Sequence, residues 1–366
     1  MKKEGREPLL RISKRGEMAR GKAWGIRLMA VALSLVVCAF IIFAIVKLNP
    51  LHVYGAMFEG AFSTSKRMWV TIRDTMMLLC IAIGLAPAFK MKFWNIGAEG
   101  QILVGGIVSA ACMIYIGNKM PLVPMLLLMM VGSMAAGAIW GVIPGMLKAK
   151  WNTNETLLTL MMNYIAIQIT SFFVAKWENP YGSNTVGIIN SRNQAGWFPE
   201  IFGQAYTLNV IIVMLLAVGM YLYLNYSKHG YEIAVVGESE NTARYAAINV
   251  KKVIVRTMGL SGALCGIAGF IAVAGASHTI STSTAGGRGF TAIIVCWLAK
   301  FNSFVMVLIA ALLVFFEKGA IEIASRYNLN NHVSNMITGV ILFFILGSEF
   351  FINYKVKFRS SKEEAK

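Results

Sequence analysis

The chain has 366 residues, of which 57% are apolar and only 14% charged, with 34 Lys and Arg against 17 Asp and Glu for a formal charge of +17. A soluble chain carries about 25% charged residues; too few remain here to coat a water-exposed surface, which excludes a cytosolic enzyme. The positive excess would suggest nucleic acid on a soluble protein, but its placement along this chain points to a membrane.

In chain order, residues 1–23 read as a basic cytoplasmic tail. The apolar run that follows, 24–46, lacks the short core and small-residue cleavage site of a signal peptide, so it reads as a retained anchor. A bilayer core of ~30 Å takes about 20 apolar residues in a helix. Runs of that kind recur at 69–88, 98–116, 121–147, 155–176, 206–225 and 256–276, then two shorter ones at 289–299 and 303–321, and a last at 332–354. The fold expected is an all-α polytopic membrane protein with about ten transmembrane helices, the membrane part covering 24–354. If 289–321 is one tilted helix the count is nine. Lys and Arg gather in the N-terminal tail, in 89–97, 148–154 and 226–255, and in the tail 355–366 (Lys355, Lys357, Arg359, Lys362, Lys366). The positive-inside bias then places both termini in the cytoplasm, which favours ten.

The external loop 177–205 holds Asn179, Pro180, Gly182, Pro199 and Gly203 but one basic residue, Arg192; it reads as a folded cap or a short helix near 198–202. Gly137, Gly141 and Gly145 repeat every four residues, as do Gly262 and Gly266, giving helix faces that let backbones approach closely. The five cysteines lie in apolar runs and the four histidines are far apart, so neither set has metal-ligand spacing.

Polar residues at membrane depth need a reason. Arg73 and Asp74, the latter the only aspartate, open the second span; neighbours in sequence do not share a helix face, so each is expected to pair with another helix. The stretch 93–101 carries Phe93, Trp94, Asn95, Gly97, Glu99, Gly100 and Gln101 straight into an apolar helix. A glycine-broken backbone before a helix leaves free N–H groups and a positive dipole end, a pattern that lines solute pathways in transporters. Residues 281–290, ending in Gly286, Gly287, Arg288, Gly289 and Phe290, form a similar break on the opposite side. The two breaks suggest an inverted repeat of spans 2–5 and 7–10. Asn163 and Tyr164 fall mid-membrane, where an amide and a phenol could bond a polar solute or only a neighbouring helix.

Residues 16–23 match G-x-x-x-x-G-K, but Ala23 stands where a phosphate loop needs Ser or Thr, and a basic tail rather than a strand is expected before it. The inside loop 226–255 has a different character. Ser239 suits a helix N-cap, Glu240 its first turn and Asn249 its stop, while Ala243, Ala246 and Ala247 would form one small face flanked by Arg244 and Tyr245. A short helix of this kind docks into a groove on a soluble partner; one lying on lipid would want bulky apolar residues and lysines.

This loop, Gly237 to Val250, resembles the ATPase-docking loop of the ribose, branched-chain amino acid and nucleoside permease family of ATP-driven (ABC) importers. So do Asn95 to Gln101, Ser261 to Leu264 with Gly266 to Gly269, and Gly289 to Ile293. The likeness runs from about residue 50 to 350, and Asn154 to Ala166 looks most like the nucleoside-type members. After Phe290 the chain departs from the family's small residues, with Cys296, Trp297 and Lys300. The resemblance implies a multi-pass permease subunit of the bacterial plasma (inner) membrane that moves a small polar solute inward, a nucleoside first, with a simple sugar such as ribose, or a secondary transporter or channel, as alternatives. It implies no catalytic or metal site and no cofactor in this chain, ATP and Mg being bound by a partner ATPase subunit. It also implies an extracytoplasmic binding protein or lipoprotein and a second permease, related or identical. ATPase coupling falls to Glu238, Ser239, Asn241, Ala243, Arg244, Tyr245, Ala246 and Ala247. The solute pathway falls to Phe93, Trp94, Asn95, Glu99, Gln101, Asn163, Tyr164, Phe290 and Trp297.

Overall fold

The structure is a computed structural model that describes residues 10–358 apart from 17, 48, 118 and 330. Among these, nine helices are long and apolar enough to cross a membrane. In chain order the elements are β1 (Leu10–Lys14), α1 (Arg20–Val46), α2 (Pro50–Phe62), α3 (Ser65–Lys90), α4 (Ala98–Ile116), α5 (Leu122–Trp151) and α6 (Glu155–Lys176). Then follow α7 (Thr207–Tyr226), α8 (Lys228–Glu238), α9 (Glu240–Tyr245), α10 (Val250–Ala272), α11 (Arg288–Leu298), α12 (Ser303–Arg326), α13 (Asn331–Asn353) and β2 (Tyr354–Phe358). The chain is a polytopic helical membrane protein. The eighth of the ten expected spans, 289–299, forms α11, whose 11 residues reach only about 16 Å, half a bilayer core. The 13-residue α2 was not foreseen.

The chain divides into two compact units, 1–63 with 315–366, and 64–314. In the first, β1 pairs antiparallel with β2 from Leu10↔Phe358 to Lys14↔Tyr354. This small sheet, absent from the all-α expectation, brings both ends of the described chain together. It also puts a strand ahead of residues 16–23, against expectation. Yet α1 starts at Arg20 and draws Gly21 and Lys22 into its first turn, and Ala23 still offers no hydroxyl. The helices α1 and α13 pack together, tied by Arg27 Nε donating to Glu349 Oε1 at 2.9 Å.

In the second unit α3 and α10 form the buried centre, α10 lying against α3, α4 and α5. The glycine faces seen in the sequence meet there. A Cβ at Gly262 would collide with the Gly137 carbonyl, and one at Gly266 with the Ser133 carbonyl. Ser133 Oγ donates to Gly105 O at 2.8 Å and so ties α5 to α4. Backbone contact between small residues, with hydroxyls closing the gaps, is how helices cohere where lipid removes the hydrophobic drive. Residues 177–206 form an irregular cap without the helix allowed for near 198–202. Trp197 Nε1 donates to Ile189 O at 2.9 Å, Asn190 Nδ2 to Met113 O at 2.7 Å, and buried Phe198 packs edge-on against Phe270.

Candidate solute pathway and coupling surface

The chain breaks after α3. Lys92 takes a left-handed turn (φ 58°), and 93–97 run back to the start of α4. The N–H groups freed by the break are taken up by side chains. Asn95 Oδ1 accepts from Gly97 N at 3.0 Å, Thr159 Oγ1 from Ile96 N at 3.2 Å, and Asn163 Oδ1 from Gly100 N at 2.9 Å. In return, Asn163 Nδ2 donates to Ile96 O at 2.9 Å and Asn95 Nδ2 to Ser261 Oγ at 3.0 Å. Gln101 and Asn95 bond one another at 3.4 Å. Buried Asn95, Gln101 and Asn163 thus latch the break to α6 and α10, and much of their polar capacity is spent within the protein. Tyr164, one residue on, points the other way and is 63% exposed.

The second break resolves at α11. Gly286 and Gly287 sit at φ 61° and 75°, a conformation that glycine adopts without a Cβ clash. Glu99, in the first turn of α4, reaches across so that its Oε1 accepts from Gly289 N at 2.6 Å. One buried carboxylate therefore sits at the positive ends of two helices, α4 and α11, a favourable place for an anion. Close by, Asp74 Oδ1 lies 2.9 Å from the Arg73 guanidinium and 3.5 Å from that of Arg288. The expectation that Arg73 and Asp74 would each seek other helices is half right. The long arginine arm folds back onto its neighbour, while Asp74 also faces Arg288 and Arg73 Nη1 donates to Tyr206 Oη at 3.4 Å. Tyr206 lines an outer cavity of about 540 Å³ together with Trp197 and His278. The His278 ring lies flat on Trp197, centroids 3.8 Å apart, and its burial pushes the imidazole below its usual range.

Aromatic rings gather where α11 ends beside the first break. Trp94 stacks on Trp297 with centroids 5.7 Å apart, and Phe89 meets both edge-on. Trp94 is 45% and Trp297 41% exposed, while Phe93 is buried. Trp297, a departure from the family pattern, is thus part of a ring cluster. Phe290 is exposed on the first turn of α11. Thr159, Ser261 and Phe89 are not among the pathway residues that the sequence suggests: a threonine and a serine inside apolar runs give no signal of what they face.

The segment expected to couple to an ATPase folds as two helices, α8 and α9. Ser239 caps α9 as foreseen, accepting from Thr242 N at 3.3 Å. The single alanine face does not form. Ala243 is buried, α9 ends at Tyr245, and Ala247 turns left-handed at φ 56°. Asn249 does not stop α9; it caps α10 through Lys252 N at 3.1 Å. α9 and its flanks present outward Glu238, Glu240, Asn241, Thr242, Arg244, Tyr245, Ala246 and Ala247, with Tyr245 93% exposed. The helix before it is braced by Arg256 Nη2 donating to Glu232 Oε2 at 2.8 Å, which holds that carboxyl below the ordinary carboxylate range.

Residues 68–346 match the family described as branched-chain amino acid transport system / permease component. The chain is 30% identical over 318 residues to the guanosine ABC transporter permease protein NupP of Bacillus subtilis, covering 86% of this chain and 89% of the relative. It is 28% identical over 336 residues to the nucleoside ABC transporter permease protein NupB of Lactococcus lactis, covering 87% and 91%. To the glucose ABC transporter permease protein TsgB13 of Haloferax volcanii it is 26% identical over 363 residues, covering 95% and 93%. No solved structure matches.

Proposed function

The chain belongs to the branched-chain amino acid transport system / permease component family, so that it is a multi-pass permease subunit of an ABC importer in the plasma (inner) membrane, and we propose that the solute it carries inward is a nucleoside. The observation that carries this reading is its similarity, over nearly the whole chain, to permeases named for guanosine and for nucleosides. The half-exposed faces of Trp94 and Trp297 fit it, since a base stacked on an aromatic ring gains ~1–3 kcal/mol. A sugar is the second reading, favoured by the similarity to a glucose permease. The pathway we propose runs from the outer cavity at Tyr206, past the Glu99–Gly289 junction, to the tryptophan pair. Phe290 is its least enclosed member, Asn95, Gln101 and Asn163 hold its wall, and Tyr164, turned away from the break, stands outside it. An extracytoplasmic binding protein delivers the solute, a second permease subunit, related or identical, completes the pore, and a partner ATPase binds ATP and Mg.

Uptake of labelled guanosine into proteoliposomes holding the complete transporter tests the solute. Inhibition by unlabelled nucleosides and indifference to glucose and ribose is expected; inhibition by glucose alone would overturn the nucleoside reading.

We assign ATPase docking to the exposed side of 238–247, centred on Arg244 and Tyr245. Charge reversal by Arg244→Glu is expected to weaken ATPase association about tenfold, the effect of losing one well-placed polar contact, with membrane insertion unchanged. Co-purification of the two subunits measures this, and wild-type association in the variant would exclude a docking role for Arg244.

A further inference from the structure

At the end of α5 the chain builds a pocket that neither solute passage nor the exposed side of α9 explains. It has a volume of about 570 Å³ and is lined by Lys148, Lys150, Arg244 and Lys251 against the single carboxylate of Glu240. That carboxylate lies 3.5 Å from Arg244, and Lys148 is held by Glu155 at 3.0 Å. Ile248 and Ile254 add an apolar wall, and the first turn of α10 contributes the positive end of its dipole. The site is therefore cationic on one side and greasy on the other.

Its depth is set by helix length. The 30 residues of α5 extend about 45 Å, well beyond a hydrocarbon core of ~30 Å, so that Lys148 to Trp151 stand at headgroup level. Trp151 is 66% exposed, with Lys150 Nζ 5.7 Å from its ring centre; a tryptophan and a lysine placed so mark the membrane–water boundary.

We propose that this pocket holds the headgroup of an anionic phospholipid of the inner leaflet, seated against the coupling helix α9. A basic pocket at the cytoplasmic end of membrane helices is a site for an anionic headgroup. The apolar wall favours a lipid over soluble phosphate, because it accepts the start of an acyl chain. Since Arg244 belongs to both the pocket and the outer side of α9, the lipid anchors the coupling helix to the bilayer surface. This inference rests on the membrane placement of the chain and is independent of which solute is carried.

The test is binding of spin-labelled phosphatidylglycerol to the purified full-length permease in phosphatidylcholine vesicles, with spin-labelled phosphatidylcholine as reference. The wild type is expected to prefer the anionic lipid. In the double variant Lys150→Glu with Lys251→Glu that preference is expected to fall about tenfold. The same change of net charge at the external loops, Lys119→Glu with Arg192→Glu, is expected to leave it intact. The milder pair Lys150→Gln with Lys251→Gln, checked for an unchanged elution volume, guards against a folding defect and is expected to fall between. Equal preference in the inner-face and external-loop variants, no preference in the wild type, or displacement of the lipid by glycerol phosphate would each overturn the proposal.

Discussion

Gly262→Leu is expected to yield a chain that inserts into the membrane but does not survive extraction as a folded protein. Gly262 of α10 lies directly on Gly137 of α5, and a Cβ at either position would run into the other's carbonyl; the Gly266–Ser133 contact one turn on is as close. Nothing flexible stands there to move aside, because the obstacle is backbone. Relief requires α5 and α10 to separate, which would also strain the Gly105–Gly266 approach of α4. Overpacking in a dense interior costs about 1–3 kcal/mol when side chains can shift; here the cost is expected at or above the top of that range. Gly219→Ala in α7 is the control, since nothing lies within 4 Å of a Cβ there. Thermal stability of the detergent-purified proteins decides. A folded Gly262→Leu protein melting with the wild type would show that the glycine contact contributes little.

The glycine contact was half visible in the sequence. A four-residue period identifies a face from local information, so Gly137, Gly141, Gly262 and Gly266 stood out, but not that the two faces meet each other. The first helix break was legible for the same local reason: Asn95, Gly97 and Gly100 before an apolar run signal an interrupted backbone. Its latches on Thr159 and Ser261 were not, because hydroxyls inside apolar runs look alike whether they bond their own helix or another. The coupling segment shows how local signals can mislead. Asn249 serves equally as a helix stop and as an N-cap; the structure uses it to start α10, so α9 ends a turn earlier and the expected alanine face is split. The extent of α11 is legible in the run 289–299, but its crossing is not, because an apolar run gives no depth: the helix starts at a buried junction instead of at a membrane surface.

That junction supports the last prediction. Glu99→Ala is expected to lower transport on the order of ten- to a hundredfold while leaving ATPase association and membrane insertion unchanged. The carboxylate of Glu99 joins two segments far apart in sequence, accepting from Gly289 N at 2.6 Å across 190 residues. It answers the dipole ends of both α4 and α11 in a buried setting. A hydrogen bond to a charged group contributes ~1.5–3 kcal/mol, which at about 1.4 kcal/mol per tenfold sets the expected range. Truncation also strands the Gly289 N–H, and the Arg288 guanidinium nearby then faces Asp74 without a second carboxylate across the junction. Glu99→Gln keeps an oxygen acceptor of the same reach and loses only the charge, so it is expected to recover part of the activity. That ordering separates a positioning role from bulk packing: a packing role would make the isosteric Gln fully active. If Glu99→Ala and Glu99→Gln both transport like the wild type, the junction of the two broken helices is not part of the moving pathway.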